Sequence, residues 1–157
     1  MEKITTRKAT HNDLETLRRF EQGVITAERP FDPTLKKGPI NYYDLEYMID
    51  APHIELLVAE INDEVVGSGY ARIDAAKHYL QFNEFAYLGF MYVEPKHRGK
   101  GINKLVVEAL KEWSLSKNIS EMRLEVYYDN TSAVNAYEKS GFTKLILEMR
   151  MALKKNN

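Results

Sequence analysis

A chain of 157 residues, 44% hydrophobic and 29% charged, has the size and balance of one globular domain that buries its own core, and its formal charge of -1 excludes recognition of polyanions through an overall basic field. No apolar run reaches the ~18 residues of a bilayer span and "MEKITTRKAT" lacks the apolar stretch of a secretory leader, so a cytoplasmic protein is expected. With no cysteine there are no disulfides, no thiolate metal sites and no cysteine nucleophile, so any acyl group this chain transfers is expected to pass directly from donor to acceptor.

No internal repeat, low-complexity tract or linker divides the sequence, which reads as a single domain over 1–157. "EKITTRKA" predicts a first strand. Thr10 and Asp13 have capping-box spacing, and Leu14, Leu17, Phe20 and Val24 then follow at helical intervals, predicting a helix over about 12–27. "ERPFDPTLKKGP" breaks that helix, and "INYYDLEYMID" predicts a short second one before Pro52. "IELLVAEI" and "EVVGSGYARID" flank Asn62 and Asp63 as a β-hairpin. "FAYLGFMYV", within a strand predicted over 84–93, is apolar at nearly every position, as expected of a strand covered on both faces; Gly89 inside it marks either a bulge or relief of crowding. Ile102, Leu105, Val106, Ala109, Leu110 and Trp113 fall on one continuous helical face. "EMRLEVYY" predicts a strand, "NTSAVNAYEKS" a helix ended by Gly141, and "FTKLILEMRMAL" a last strand. Strands interleaved with helices imply a mixed α/β sheet covered on both faces.

The turn "EPKHRGKG", between a strand and a helix, aims unpaired backbone N–H groups at whatever lies over the helix N-terminus, which should be an anion. Lys96, His97, Arg98, Lys100 and Lys104 add charge, and a phosphate gains most from such a cluster; the alternative is a solvated basic turn. The segment lacks the GxxxxGK[ST] spacing of a triphosphate cradle and the GxGxxG dinucleotide pattern.

"VEPKHRGKGINKLVVEAL" resembles the acetyl-coenzyme A loop of the GNAT N-acetyltransferase superfamily, [QR]xxGx[GA] opening a helix, and "LEVYYDNTSAVNAYEKSGFTKL" resembles that family's following strand and helix. Lys96 stands where Gln or Arg is usual and Asn103 where a small residue is frequent. The resemblance implies a mixed, mostly antiparallel central sheet flanked by helices on both faces, and an acetyl-CoA-dependent N-acetyltransferase whose acceptor, a primary amine on a small molecule or a peptide N-terminus, attacks directly in a ternary complex. It implies that Arg98, Gly99, Lys100, Gly101, Ile102 and Asn103 hold the diphosphate of acetyl-CoA, that Met91 and Val93 pair with its pantetheine arm beside a splay of strands at Gly89, and that Asn130 contacts the cofactor.

Tyr137, seven residues after Asn130 and so on the same side of the helix, is the candidate acid for the departing thiolate in that family; packing alone is the other reading. Relatives often carry a glutamate on the strand before the loop, where this chain has Tyr87 and Gly89. Glu125, on the opposite face of its strand from Leu124 and Val126, and Glu84 are the alternative bases, and a solvated strand position is the competing reading for each. From Gly38 to Ala71 there is no Lys or Arg, yet Asp44, Glu46, Asp50, Glu55, Glu60, Asp63 and Glu64 fall there, so a cationic amine is the expected acceptor, with Tyr42, Tyr43 and Tyr47 as cation–π faces; an ordinary solvated helix is the alternative. A CoA- or amine-sensing module without catalysis, and transfer of a longer acyl chain, are the competing functions. The four histidines lack metal spacing, and the cations form no long stripe, so no metal, nucleic acid or membrane partner is expected. "LILEMRMAL" fits a homodimer through C-terminal strands and internal pairing equally.

Overall fold

The protein, here a computed structural model, is described over residues 2–154. The chain forms two compact units, Met1–Glu125 and Val126–Asn157. In the first, a five-stranded sheet runs in the order β1 (Ile4–Lys8), β2 (Ile54–Ile61), β3 (Glu64–Ala75), β4 (Glu84–Val93) and β5 (Met122–Leu124). The first three pairings are antiparallel and β4–β5 is parallel, so the sheet is mixed and mostly antiparallel as expected.

Three helices cover this sheet: α1 (Leu14–Glu28), α2 (Leu45–Asp50) and α3 (Ile102–Ser116). Side chains alternate along strands, and β2 uses both sets. Ile54, Leu56 and Val58 join Leu17, Phe20, Leu45, Met48 and Ile49 under α1 and α2. Leu57, Ala59 and Ile61 are buried on the other side, where Ile102, Val106, Val107 and Leu110 of α3 are buried too. The α3 stripe is rotated relative to the sequence expectation: Val107 and Ser114 are buried while Leu105 is 41% exposed.

Asp13 opens α1 through the capping arrangement the sequence announces: its Oδ2 accepts the Thr10 N–H at 2.8 Å. Arg7 donates two hydrogen bonds to the same carboxylate and one to Glu60, fastening the helix start to β1 and β2. The β2–β3 hairpin turns at Asn62 and Asp63, with φ of 50° and 63°, the left-handed pair that a two-residue turn demands. The second helix is shorter than expected. Only Leu45–Asp50 is helical, because the buried Glu21 carboxylate accepts the N–H groups of Tyr42 and Tyr43 at 2.8 and 2.7 Å, holding that backbone outside the helix. Asp44 then caps α2.

The second unit contains α4 (Thr131–Lys139), capped by Asn130 and stopped at Gly141, whose φ is 103°. The expected last strand, 142–153, finds no strand partner within this unit, and β5 is three residues long where eight were expected.

Candidate functional site

At the end of β4 the chain makes a single tight turn, Pro95–His97, then passes through Arg98, Gly99, Lys100 and Gly101 into α3. Gly99 and Gly101 both have φ of 80°, and a Cβ at either would touch nothing within 4 Å. Their requirement is therefore conformational, since the left-handed region costs an L-residue about 1–2 kcal/mol. The first helical hydrogen bond runs from the Leu105 N–H to the Gly101 carbonyl, and no side chain caps the helix. Among the described residues the N–H groups from Gly99 to Lys104 have no backbone acceptor. They form a fan of donors at the positive end of a fifteen-residue helix.

The basic residues around this fan divide. Lys96 pairs with Glu64 at 3.4 Å, and Lys100 with Glu2 at 2.8 Å. The Arg98 side chain donates to the Val93 carbonyl, and neither Arg98 nor Lys104 has an ion pair among the described residues. Two permanent cations are thus left for an anion. The loop's near end is fixed by Glu94, whose N–H donates to the Val66 carbonyl and whose carboxylate takes Arg19 of α1 at 2.6 Å. Lys100 Nζ also lies 3.1 Å from His97 Nδ1, and His97 Nε2 is buried with no hydrogen-bond partner among the described residues.

Gly89 marks a bulge. Between the pairs Ser68–Tyr92 and Tyr70–Gly89, β4 supplies Phe90 and Met91 against Gly69 alone. Phe90 takes the strain, with φ of 56° while buried, and its carbonyl accepts the Ser68 hydroxyl at 2.9 Å. On the other side of β4, the ladder to β5 ends at Leu88–Leu124 while β4 continues to Val93. The pairing of the two strands therefore ends at Leu88, where β5 itself runs out, leaving the backbone of Met91 and Val93 unpaired on that side within this unit. Glu125 follows directly after the last ladder residue of β5.

A group of tyrosines covers Gly89. The Tyr70 hydroxyl lies where a Gly89 side chain would project, 2.5 Å from an ideal Cβ. Tyr43 packs edge-on against Tyr70 at 5.9 Å and on Phe90 at 4.7 Å, and Tyr87 lies 6.4 Å from Tyr70. Arg72 stacks on the rings of Tyr70 and Tyr87 and is held by Asp74 through two hydrogen bonds, at 2.7 and 3.0 Å. Burial raises the Tyr43 and Tyr70 hydroxyls and pushes Tyr87 up to about 12, with Glu125 the next contributor at Tyr87. Burial likewise pushes the Tyr42 hydroxyl up to about 12, with the Glu28 carboxylate the next contributor. Burial lifts the Glu28 carboxyl above its ordinary range. An open cleft of about 660 Å³ lies between α1 and the segment before α2, lined by Arg18, Gln22, Asn41, Tyr42 and Tyr43.

The residues singled out in the sequence separate accordingly. Arg98 to Asn103 lie together at the turn, and Met91 and Val93 lie beyond the parting of the strands. Glu125 is at that parting. Glu84 is at the opposite end of β4, exposed, and five residues from Gly89, roughly 17 Å at about 3.3 Å per residue. Asn130 and Tyr137 lie in the second unit, where the Asn130 side chain accepts the Ala133 N–H at 3.2 Å and Tyr137 packs edge-on to Phe142 at 5.8 Å.

The acidic field read from the sequence is partly neutralised in the fold. Asp50 pairs with His11, Glu46 with Arg18, Glu60 with Arg7 and Glu64 with Lys96, while Asp44 caps α2. Of the three tyrosines, only Tyr47 is on α2, beside His53. Glu28 was not singled out by pattern; its only sequence signal is a carboxylate at the end of an amphipathic helix, just before Pro30.

The comparisons with known proteins name the class of this fold. The sequence model of the Acetyltransferase (GNAT) family matches residues 22–142. Over 62 residues the chain is 39% identical to streptothricin acetyltransferase of Escherichia coli, covering 40% of this chain and 36% of that protein. Among solved structures, the tetramutant of the BH1408 protein from Bacillus halodurans superposes with a TM-score of 0.83 at 18% identity, over 95% of this chain and 99% of that one. A "predicted acetyltransferase with acetyl-CoA" from Clostridium acetobutylicum superposes with a TM-score of 0.72 at 18% identity, over 96% and 97%. The chain belongs to the GNAT acetyltransferase family, and its fold is the one the sequence motifs implied.

Proposed function

We propose that this protein transfers the acetyl group of acetyl-CoA to a primary amine by direct attack in a ternary complex, its two units working as one domain. The observation that carries the reading is the donor fan from Gly99 to Lys104, flanked by Arg98 and Lys104 and placed just beyond the parting of β4 and β5. A diphosphate matches six backbone donors and two unpaired cations, and the unpaired backbone of Met91 and Val93 suits an amide-bearing arm. Acetyl-CoA in one fold neighbour supports this donor, and the partial likeness to streptothricin acetyltransferase supports an amine acceptor.

In this reading Tyr137 protonates the departing thiolate and Asn130 divides its side chain between the helix cap and the cofactor. Release of free thiol from acetyl-CoA across a panel of amines tests it: at least one amine should drive release well above hydrolysis. Cofactor binding with no release for any amine would leave a sensor in place of an enzyme.

A further inference from the structure

Resting on the proposed acetyl transfer, we infer that the Tyr70 hydroxyl is the contact that places the acceptor nitrogen, its oxygen accepting an N–H of the amine as the nitrogen attacks the thioester. The position of this side chain carries the inference. Tyr70 is paired with Gly89 across β3 and β4, and its ring leans over that glycine, with Oη 2.5 Å and Cζ 2.6 Å from the point where a Gly89 Cβ would stand. Gly89 is also the first residue of β4 beyond the ladder to β5, which ends at the Leu88–Leu124 pair. The hydroxyl therefore stands over the start of the free edge along which the acyl-bearing arm is proposed to run.

The two faces of the sheet differ at this point. An arm paired to β4 as a neighbouring strand holds its carbonyl near the plane of the sheet, and a nucleophile approaches a carbonyl from above or below its plane. On the α3 side that approach meets apolar packing: a Cβ at Gly69, opposite the bulge, would fall 2.7 Å from both Met91 Sδ and Val106 Cγ1. On the other side the three atoms nearest the missing Gly89 Cβ all belong to Tyr70, and the hydroxyl oxygen is the polar one. The ring is fixed there. Tyr43 meets it edge-on at 5.9 Å, Tyr87 lies 6.4 Å away, and the Arg72 guanidinium, itself held by Asp74, is 5.8 Å from its centroid. A group held in place beforehand loses little freedom on meeting a substrate. Burial raises this hydroxyl above its ordinary value, so it stays a neutral O–H whose oxygen has lone pairs for an N–H.

The contact tightens during the reaction. The electron pair of nitrogen forms the C–N bond at the carbonyl carbon, positive charge grows on nitrogen, and its N–H bond to the Tyr70 oxygen strengthens, so the transition state gains more than the ground state. The C–S bond breaks, sulfur leaves with its pair and takes a proton, and nitrogen gives one up to solvent as the amide forms. Tyr70 neither gains nor loses a proton, which separates its part from the one proposed for Tyr137.

The test compares wild type, Tyr70→Phe, Gly89→Ala and the control Tyr79→Phe, whose hydroxyl is on an exposed side chain. Thiol release is followed with spermidine, kanamycin A and a lysine-containing peptide, and without amine as slow hydrolysis of acetyl-CoA. Urea midpoints and calorimetry with CoA accompany each variant. Tyr70→Phe keeps the ring and removes the hydroxyl. On whichever amine wild type accepts, it should lower kcat at least about tenfold, while hydrolysis and the CoA dissociation constant stay within twofold; a tyrosine that only packs would move these together. Gly89→Ala, which displaces the hydroxyl without removing it, should lower the same rate, and Tyr79→Phe should match wild type. Wild-type kcat in a folded Tyr70→Phe overturns the inference, as does an equal loss of amine transfer and hydrolysis. If Tyr70→Phe fails to fold, wild-type kcat in Gly89→Ala overturns it. So does a wild type that binds CoA but releases no thiol with any of the three amines, an outcome that leaves the donor site standing. Failure of wild type to bind CoA defeats the underlying reading instead.

Discussion

Gly101 offers the sharpest perturbation of the diphosphate turn because its surroundings contribute nothing to the outcome. Its φ is 80° and a Cβ there meets no atom within 4 Å, so replacement by alanine introduces no clash. What remains is the backbone preference, about 1–2 kcal/mol against the left-handed region for an ordinary L-residue. In the free protein the loop is able to relax away from that region; in the complex it must return for the N–H groups of Gly101 to Lys104 to converge. Gly101→Ala should therefore weaken CoA binding by about 5- to 30-fold, since every 1.4 kcal/mol is about tenfold. Asparagine tolerates this conformation and should cost less, and valine, branched at Cβ, more. Isothermal titration of CoA into the three variants and wild type measures the series. Equal dissociation constants for all four would refute the reasoning, because the left-handed turn would then have no part in holding the anion.

Gly89→Ala should destabilise the fold by about 1–3 kcal/mol, read from the urea midpoint, since its Cβ would fall 2.5 Å from the Tyr70 hydroxyl and 2.6 Å from Cζ of a ring packed against Tyr43 and Tyr87; an unchanged midpoint would mean that Tyr70 moves aside freely. Tyr137→Phe should lower kcat at least tenfold with the dissociation constant for CoA within about twofold, consistent with the 10²–10⁴-fold typical of positioned acids; unchanged turnover removes Tyr137 from the acid role. Asp13 bears on the acid limb of stability. Hydrogen bonding from Arg7 holds its carboxyl below the ordinary value of 3.8, so its contribution is present above that value and is lost as pH falls through the lower folded one. In Arg7→Leu the carboxylate loses the partner that lowers it and its folded value moves back toward 3.8, so the variant should be less stable at pH 6 and its urea midpoint should fall less between pH 6 and 2; superimposable acid limbs would contradict it.

The parts of this fold set by local chemistry were legible in the sequence. Asn62 and Asp63 between two alternating runs define the hairpin turn, and the apolar run 85–93 delimits β4, whose ends fall at Glu84 and Val93 as expected. The donor turn is legible for the same reason, because a glycine pair entering an amphipathic helix constrains the backbone whatever surrounds it. What was hidden depends on partners distant in sequence. Tyr42 and Tyr43 leave the helix because Glu21, some twenty residues earlier, accepts their N–H groups. The acidic segment loses part of its field to Arg7, Arg18 and Lys96, none of which lies within it. Helical periodicity identified the α3 stripe but missed its rotation, as Leu105 and Val107 exchange roles when the helix settles on the strands.

The central claim is that the turn from Gly99 to Lys104 grips a diphosphate, and the direct measurement is calorimetry of CoA against pantetheine, which carries the same thiol arm without phosphates. CoA should bind at least a hundredfold more tightly at low ionic strength, with the difference shrinking as salt rises. Equal affinity for the two, or no detectable heat with CoA, would contradict the account.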